Sequence, residues 1–279
     1  MTYKLVALDL DGTVVGPDLT IAREVLEAIA AARRSGVVVT IATGRVFRAA
    51  LPFVEQLGID APFICFQGGA VRDPRTGTAV FEHSLPAEPA RRLIEALLAD
   101  GAYPVAAIGD RLHVVRMTDE FDIYVHYDVE AREQAVVAPN LAEVVAETPP
   151  LKVLFAGQPA VVAGHLEVLE AAFGGELDFV RSHEFFGEAT APGVNKGSAL
   201  AALARHLGIG REQTLAIGDE RNDIEMLQWA GLGLAMGNAS RAVQEAADAV
   251  IPSVAEAGVA WALERYVLNR AVRESEETT

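Results

Sequence analysis

The sequence predicts an α/β fold in two parts: a parallel-sheet core and an α+β unit inserted into it. Three observations predict this. Apolar, β-branched runs alternate with helical patterns as far as Val71. After about residue 84 that rhythm gives way to short strands joined by tight turns. At Lys196 it resumes and lasts through "ADAVI".

"KLVALDL" is an unbroken apolar run ending at two acids, so residues 4–10 read as a buried strand. In "LTIAREVLEAIAAARRSG", Leu26, Ile29 and Ala30 recur at helical spacing, and Gly36 is placed to cap the end. "VVVTIATGR" gives a second strand. "RAALPFVEQLG" gives a helix in which Pro52 must lie near the start or cause a kink. "APFICFQGGAV" reads as a third strand of the parallel sheet, ending in glycines. "PAEPARRLIEALLADG" is then helical, and "YPVAAIGDRLHVVR" is two strands turning at Gly109-Asp110. "LKVLFAG", a helix near 160–172, "LDFVRSH" and "FFGEATA" complete the inserted unit. "KGSALAALARHLG", "TLAIGD", "NDIEMLQWAG", "LGLAMGN" and "ADAVI" restore the helix–strand order. The expected division is a core of 1–83 and 190–279 and an insertion of 84–189. The tail "RESEETT" is too polar to pack.

Composition excludes several classes. A chain of 279 residues with 51% hydrophobic content can bury a substantial core. A net charge of −16 argues against a broad nucleic-acid surface but leaves room for a local cationic pocket. The single cysteine, Cys65 in "PFICF", can form no intrachain disulfide and reads as a small buried hydrophobe. There is no signal-peptide pattern at the start and no apolar run long enough for a membrane helix, so the expectation is a cytoplasmic protein. Only Lys4, Lys152 and Lys196 are lysines, which draws attention to Lys196 in its polar turn.

The chemistry gathers at strand ends. Asp9 and Asp11 flank Leu10 where the first strand stops, the edge at which open α/β sheets bind ligands. Two carboxylates this close need a counter-charge. Oxygen donors without histidine or cysteine suit Mg2+. An EF-hand loop starting at Asp9 fails because its twelfth position is Thr20. Thr43, Gly44 and Arg45 end the second strand. Asp219 ends a later strand, with Asn222 beyond it and Asp223 four residues on, one turn into a helix, and Lys196 opens a helix whose N-terminus favours anions. Acids for a metal together with a hydroxyl and a lysine for oxyanions describe a phosphate site. "GLGLAMGN" lacks the G-x-G-x-x-G spacing of a dinucleotide loop.

"DLDGTVV", "IATGR", "GVNKG" and "GDERNDIEML" together resemble the four motifs of the haloacid dehalogenase-like (HAD) phosphohydrolases. The long insertion between "TGR" and "NKG" resembles the Cof-type branch. The resemblance implies a Rossmann-like HAD core with an inserted α+β cap that closes over the site and sets specificity. It implies a phosphatase of small phosphorylated metabolites, such as sugar phosphates, with Mg2+ as cofactor. Asp9 would be the nucleophile, forming an aspartyl-phosphate, and Asp11 the general acid and base. The metal residues would be Asp9, Asp11 (through its backbone carbonyl), Asp219 and Asp223. Thr43 and Lys196 would hold the phosphoryl oxygens, Gly44 and Arg45 would complete the substrate loop, and Asn222 would bind substrate and help hold the acidic loop.

The family often carries Asn-Gly-Ala after the third strand. Here the stretch is "QGGA", with Gly68 where Asn is common and Gln67 beside it as a candidate substitute. In the cap, Glu188, His126 and His183 are candidate contacts. A phosphomutase on the same core, or a silent phosphate- or metal-binding regulatory protein, stand as alternatives to the hydrolase.

Overall fold

The computed structural model describes residues 3–121 and 131–268. His126 and the polar tail therefore lie outside the described residues. The central sheet has the order β14-β13-β12-β1-β2 and is parallel throughout. Its strands are β1 (Leu5–Leu8), β2 (Val38–Ile41), β12 (Thr214–Gly218), β13 (Leu232–Met236) and β14 (Ala249–Ile251). Every side chain of β1 is buried, and its two faces serve different clusters. Val6 and Leu8 pack with Val25 and Ile29 of helix α1 (Arg23–Arg34). Leu5 and Ala7 pack on the other side with Leu200 and Leu203. A strand sandwiched between helices has no need of polar alternation, which is why it reads as one apolar run.

Register decides where the site forms. Leu8 pairs with Ile217 on one side and Ile41 on the other. The three strands therefore end level, and Asp9, Thr43 and Asp219 emerge along one edge. Helix α2 (Phe47–Gln56) follows β2 and contains Pro52 in its interior, not at its start.

The third predicted strand needs correction. β3 (Phe63–Cys65) meets the central sheet only through a single bridge, Ile64 to Ala42. It then joins β4 (Ala70–Arg72) and β5 (Ala79–Glu82) in a separate antiparallel sheet. The cause lies in "FQGG". Phe66, Gln67 and Gly68 all take left-handed backbone angles (φ 54°, 59° and 98°), which reverse the chain before a parallel strand can extend.

The inserted segment builds a six-stranded sheet of order β10-β11-β9-β6-β7-β8. Its strands are β6 (Tyr103–Ile108), β7 (Arg111–Val114), β8 (Val136–Val137), β9 (Lys152–Ala156), β10 (Asp178–His183) and β11 (Phe186–Thr190). One face, with Ala106, Val153, Phe155 and Ala189, is covered by helices α3 (Ala87–Ala99), α4 (Leu141–Glu147) and α5 (Pro159–Phe173). The alternate residues Leu112, Leu154 and Phe186 belong instead to the cluster that contains Val46 and Phe66 of the core. The second sheet thus roofs the edge where Asp9 emerges.

Candidate active site

Asp9 follows β1 directly, donates its backbone N–H to the Ile217 carbonyl at 2.9 Å, and is 5% exposed. Its Oδ1 accepts from Lys196 Nζ at 2.5 Å. Lys196 opens helix α6 (Lys196–Leu207), which is fixed by a reciprocal capping pair. Asn195 Oδ1 accepts from the Ser198 N–H at 2.8 Å, and Ser198 Oγ accepts from the Asn195 N–H at 3.0 Å. The same ammonium donates to Asp223 Oδ1 at 2.7 Å. Asp223 Oδ2 accepts the backbone N–H groups of Asp219 and Glu220, both at 3.0 Å. Asp223 sits just ahead of helix α7 (Ile224–Trp229), in a 3-10 turn, rather than one turn into the helix. It anchors both the lysine and the acidic loop.

Asp219 is held from its other side. Thr13 Oγ1 donates to its Oδ1 at 2.8 Å, and Asn238 Nδ2 donates to its Oδ2 at 3.1 Å. Asn238 also donates to the Gly12 carbonyl at 2.9 Å, and its Oδ1 accepts from the Val254 N–H at 2.9 Å. Carboxylate oxygens of Asp9, Asp219 and Asp223 lie within 4.8 Å of one another. Burial, reinforced by Asp223, pushes the Asp9 pKa well above the usual carboxylate range and that of Asp219 up to about 7. Three buried acids around one lysine leave an excess of negative charge. An all-oxygen donor set of this kind fits a hard divalent cation.

Asp11 is separated from this cluster. Arg45 Nε and Nη2 donate to its two carboxylate oxygens at 2.9 and 2.6 Å. The guanidinium is buried and lies over the Phe53 ring at 4.8 Å. Arg45, predicted to meet substrate, is thus engaged in orienting Asp11. Thr43 Oγ1 accepts from the Arg45 N–H at 3.1 Å, which leaves its hydroxyl hydrogen to donate. Asn222 Nδ2 donates to Gln67 Oε1 at 2.8 Å, while its buried Oδ1 finds no partner among the described residues.

The "QGGA" departure has a steric reason. At Gly68 a Cβ would stand 2.3 Å from the Asn195 carbonyl oxygen, in the turn that presents Lys196. An asparagine cannot occupy that position in this backbone. Gln67 reaches Asn222 and Glu188 instead.

These groups floor a cleft of about 630 Å³ between the two sheets, walled by Leu19, Val46 and Ala49 below and by Leu112, Leu154 and Phe186 above. Glu188 and His183 also line it. Cys65 is fully buried, and burial raises its thiol pKa far above neutrality, so it is not a nucleophile.

A family model described as haloacid dehalogenase-like hydrolase matches residues 6–263. The chain belongs to the haloacid dehalogenase-like hydrolases. Within that family it falls in the Cof-type branch, as the long insertion implies. It is similar to the 5-amino-6-(5-phospho-D-ribitylamino)uracil phosphatase YitU of Bacillus subtilis, with 30% identity over 94% of this chain and 97% of that protein. It is also similar to the pyridoxal phosphate phosphatase YbhA of Escherichia coli, with 30% identity over 90% of this chain and 94% of that one. Among solved structures, a haloacid dehalogenase-like hydrolase from Bacteroides thetaiotaomicron superposes with a TM-score of 0.80. The two are 28% identical, and the match covers 95% of this chain and 99% of that one. Haloacid dehalogenase-like hydrolases typically use a divalent metal, in keeping with the three-carboxylate cluster. No helix among the described residues is long and apolar enough to cross a membrane.

Proposed function

We propose that this chain is a magnesium-dependent phosphatase of small phosphomonoesters and that Asp9 is its nucleophile. The observation that carries the reading is the placement of Asp9. It is buried at the floor of the cleft, bonded to Lys196, and grouped with Asp219, while Asp11 is held apart by Arg45. Phosphatase names on relatives matched nearly end to end support the reaction class.

In this reading an Asp9 oxygen attacks phosphorus and the bond from phosphorus to the leaving oxygen breaks. Asp11 gives a proton to that oxygen. A water then attacks the aspartyl-phosphate, Asp11 takes its proton, and Asp9 is regenerated with release of phosphate. Lys196 and the Thr43 hydroxyl meet the phosphoryl oxygens, where charge builds in the transition state. Asp9 and Asp219 would hold the metal, and Asp223, whose oxygens are already committed, keeps the loop and the lysine in place. When bound, Mg2+ supplies positive charge that lets two carboxylates and a phosphate share one pocket. Residues 84–189 form the specificity lid. The cytoplasm is the expected place of action.

The test is phosphate release from hexose phosphates, nucleotides, an aryl phosphate, pyridoxal phosphate and 5-amino-6-(5-phospho-D-ribitylamino)uracil, with and without magnesium. Release that stops in EDTA and returns with magnesium is the expected result. Release that survives exhaustive chelation contradicts the metal role. Silence across the panel from folded protein contradicts the phosphatase reading.

A further inference from the structure

Two of the three lysines in the chain are buried. One is Lys196; the other is Lys152, in the lid sheet. In β9 the alternation of the strand turns Val153 and Phe155 toward the lid helices, and Lys152 and Leu154 toward the core. In β11, Glu188 shares the core-facing side with Phe186. Lys152 Nζ donates to Glu188 Oε2 at 2.5 Å, and both side chains are 6% exposed. Glu188 Oε1 accepts from Gln67 Nε2 at 2.9 Å and from Ser182 Oγ.

The second acceptor of Lys152 gives the pair its meaning. Nζ donates to the carbonyl of Gly44 at 2.7 Å. The carbonyls on either side are also held: Thr43 O accepts from the Gln67 N–H at 3.2 Å, and Arg45 O from the Phe66 N–H at 2.9 Å. Three successive carbonyls of the Thr43–Gly44–Arg45 loop are therefore fixed, the outer two by the core and the middle one by the lid. Gly44 permits this closeness, since a Cβ there would lie 2.2 Å from Gln67 Nε2. Through Gln67 the same pair reaches Asn222. A buried ion pair is a poor means of gaining stability, because apolar residues of similar volume commonly do as well or better. A donor aimed at one loop carbonyl gains geometry.

We propose that Lys152 and Glu188 are a positioning pair: lid residues that set the Thr43 hydroxyl, the Arg45–Asp11 clamp and Asn222 for phosphoryl transfer without touching the substrate. The proposal rests on the phosphatase reading above. Its chemical consequence is that the reacting groups reach their working geometry only with Lys152 bonded to the Gly44 carbonyl.

The neutral double variant Lys152→Gln/Glu188→Gln removes the charges together and leaves no lone buried ion. Lys152→Arg, which keeps the positive charge beside Glu188 but changes the donor that meets the Gly44 carbonyl, is the milder form should the double change unfold. The control is Asp110→Asn. Asp110 ties the lid to the core through Arg72 Nη1 at 2.6 Å and an Arg48 contact, and bonds to no residue of the loop. Displacing a reacting group by about 1 Å costs on the order of 100-fold, so kcat should fall by about 10- to 100-fold. The loss should be the same factor for an aryl phosphate, a hexose phosphate and pyridoxal phosphate, with KM close to wild type. Asp110→Asn should keep kcat close to wild type. A loss that varies with the leaving group would mean the pair binds substrate, and an equal loss in Asp110→Asn would mean that only lid seating matters. Unchanged kcat with a lower Tm would mean a purely structural pair. Each of these overturns the proposal. Hydrogen exchange of the peptide covering residues 43–46 reads the positioning without substrate. It should quicken in the double variant and not in Asp110→Asn, and unchanged exchange overturns the proposal whatever the activity. A wild-type protein silent on every ester, with exchange altered as expected, refutes the phosphatase reading, and the proposal falls with it.

Discussion

Asp9→Asn is expected to lower turnover by roughly ten-thousand- to million-fold, the scale on which loss of a nucleophile acts. The amide matches the carboxylate in size and keeps an oxygen for Lys196, but it cannot form the acyl-phosphate. The protein should remain folded. Burial first, and Asp223 second, raise the Asp9 pKa, so the folded state binds a proton there more tightly than the unfolded chain does. For an acid shifted in that direction, stability falls as pH rises above the unfolded value near 4. At neutral pH, with magnesium chelated, Asp9 thus weakens the fold relative to its state at low pH. The variant should therefore melt at the same temperature as wild type in EDTA, or higher. Turnover near wild type would remove Asp9 from the mechanism. A collapsed Tm would show that the Asp9–Lys196 contact is structural first.

Lys196→Met should be the opposite kind of variant, damaging both fold and reaction. Burial alone would lower the Lys196 pKa, but Asp223 and Asp9 outweigh it and raise it, so the ammonium stays charged at neutral pH. Removing it leaves Asp9 and Asp223 buried side by side with no protein cation bonded to either. Breaking a buried pair in this way costs about 3–5 kcal/mol. Urea melts in EDTA should show that loss, and Asp223→Asn in the same chain should recover part of it. Excess magnesium should also recover part, because an ion that binds only the folded state stabilises it by mass action. Full stability of Lys196→Met in EDTA would mean that the acids are protonated or solvated enough to stand alone.

Much of this was legible in the sequence because parallel strands that end level must bring their following residues together. Asp9, Thr43 and Asp219 each follow an apolar run, and a shared edge is what such runs have in common. Lys196 was legible from its helix start. The positions that escaped are those whose role depends on a partner distant in the chain. Thr13 lies within "DLDGT", and Asn238 ends "LGLAMGN", yet nothing local shows that both grip Asp219. Lys152 left a fainter mark, as a lysine in a strand otherwise apolar on both faces, in a chain almost without lysine. That Arg45 meets Asp11 escaped for the same reason, since the two lie 34 residues apart. The third strand misled for a backbone reason. "PFICF" has the composition of a sheet strand, and only the left-handed angles at Phe66 and Gln67, conformations that neither residue type favours, turn it aside.

The central claim is that phosphoryl passes through Asp9, and its most direct test is chemical trapping. In Asp11→Asn the second step loses its general base, while an aryl phosphate, whose leaving group needs little protonation, still permits the first. Acid quenching of that variant with labelled aryl phosphate and magnesium, followed by peptide mapping, should place the label on the peptide that carries Asp9. Aryl alcohol released with the label on another residue, or with none on the protein, would contradict the account.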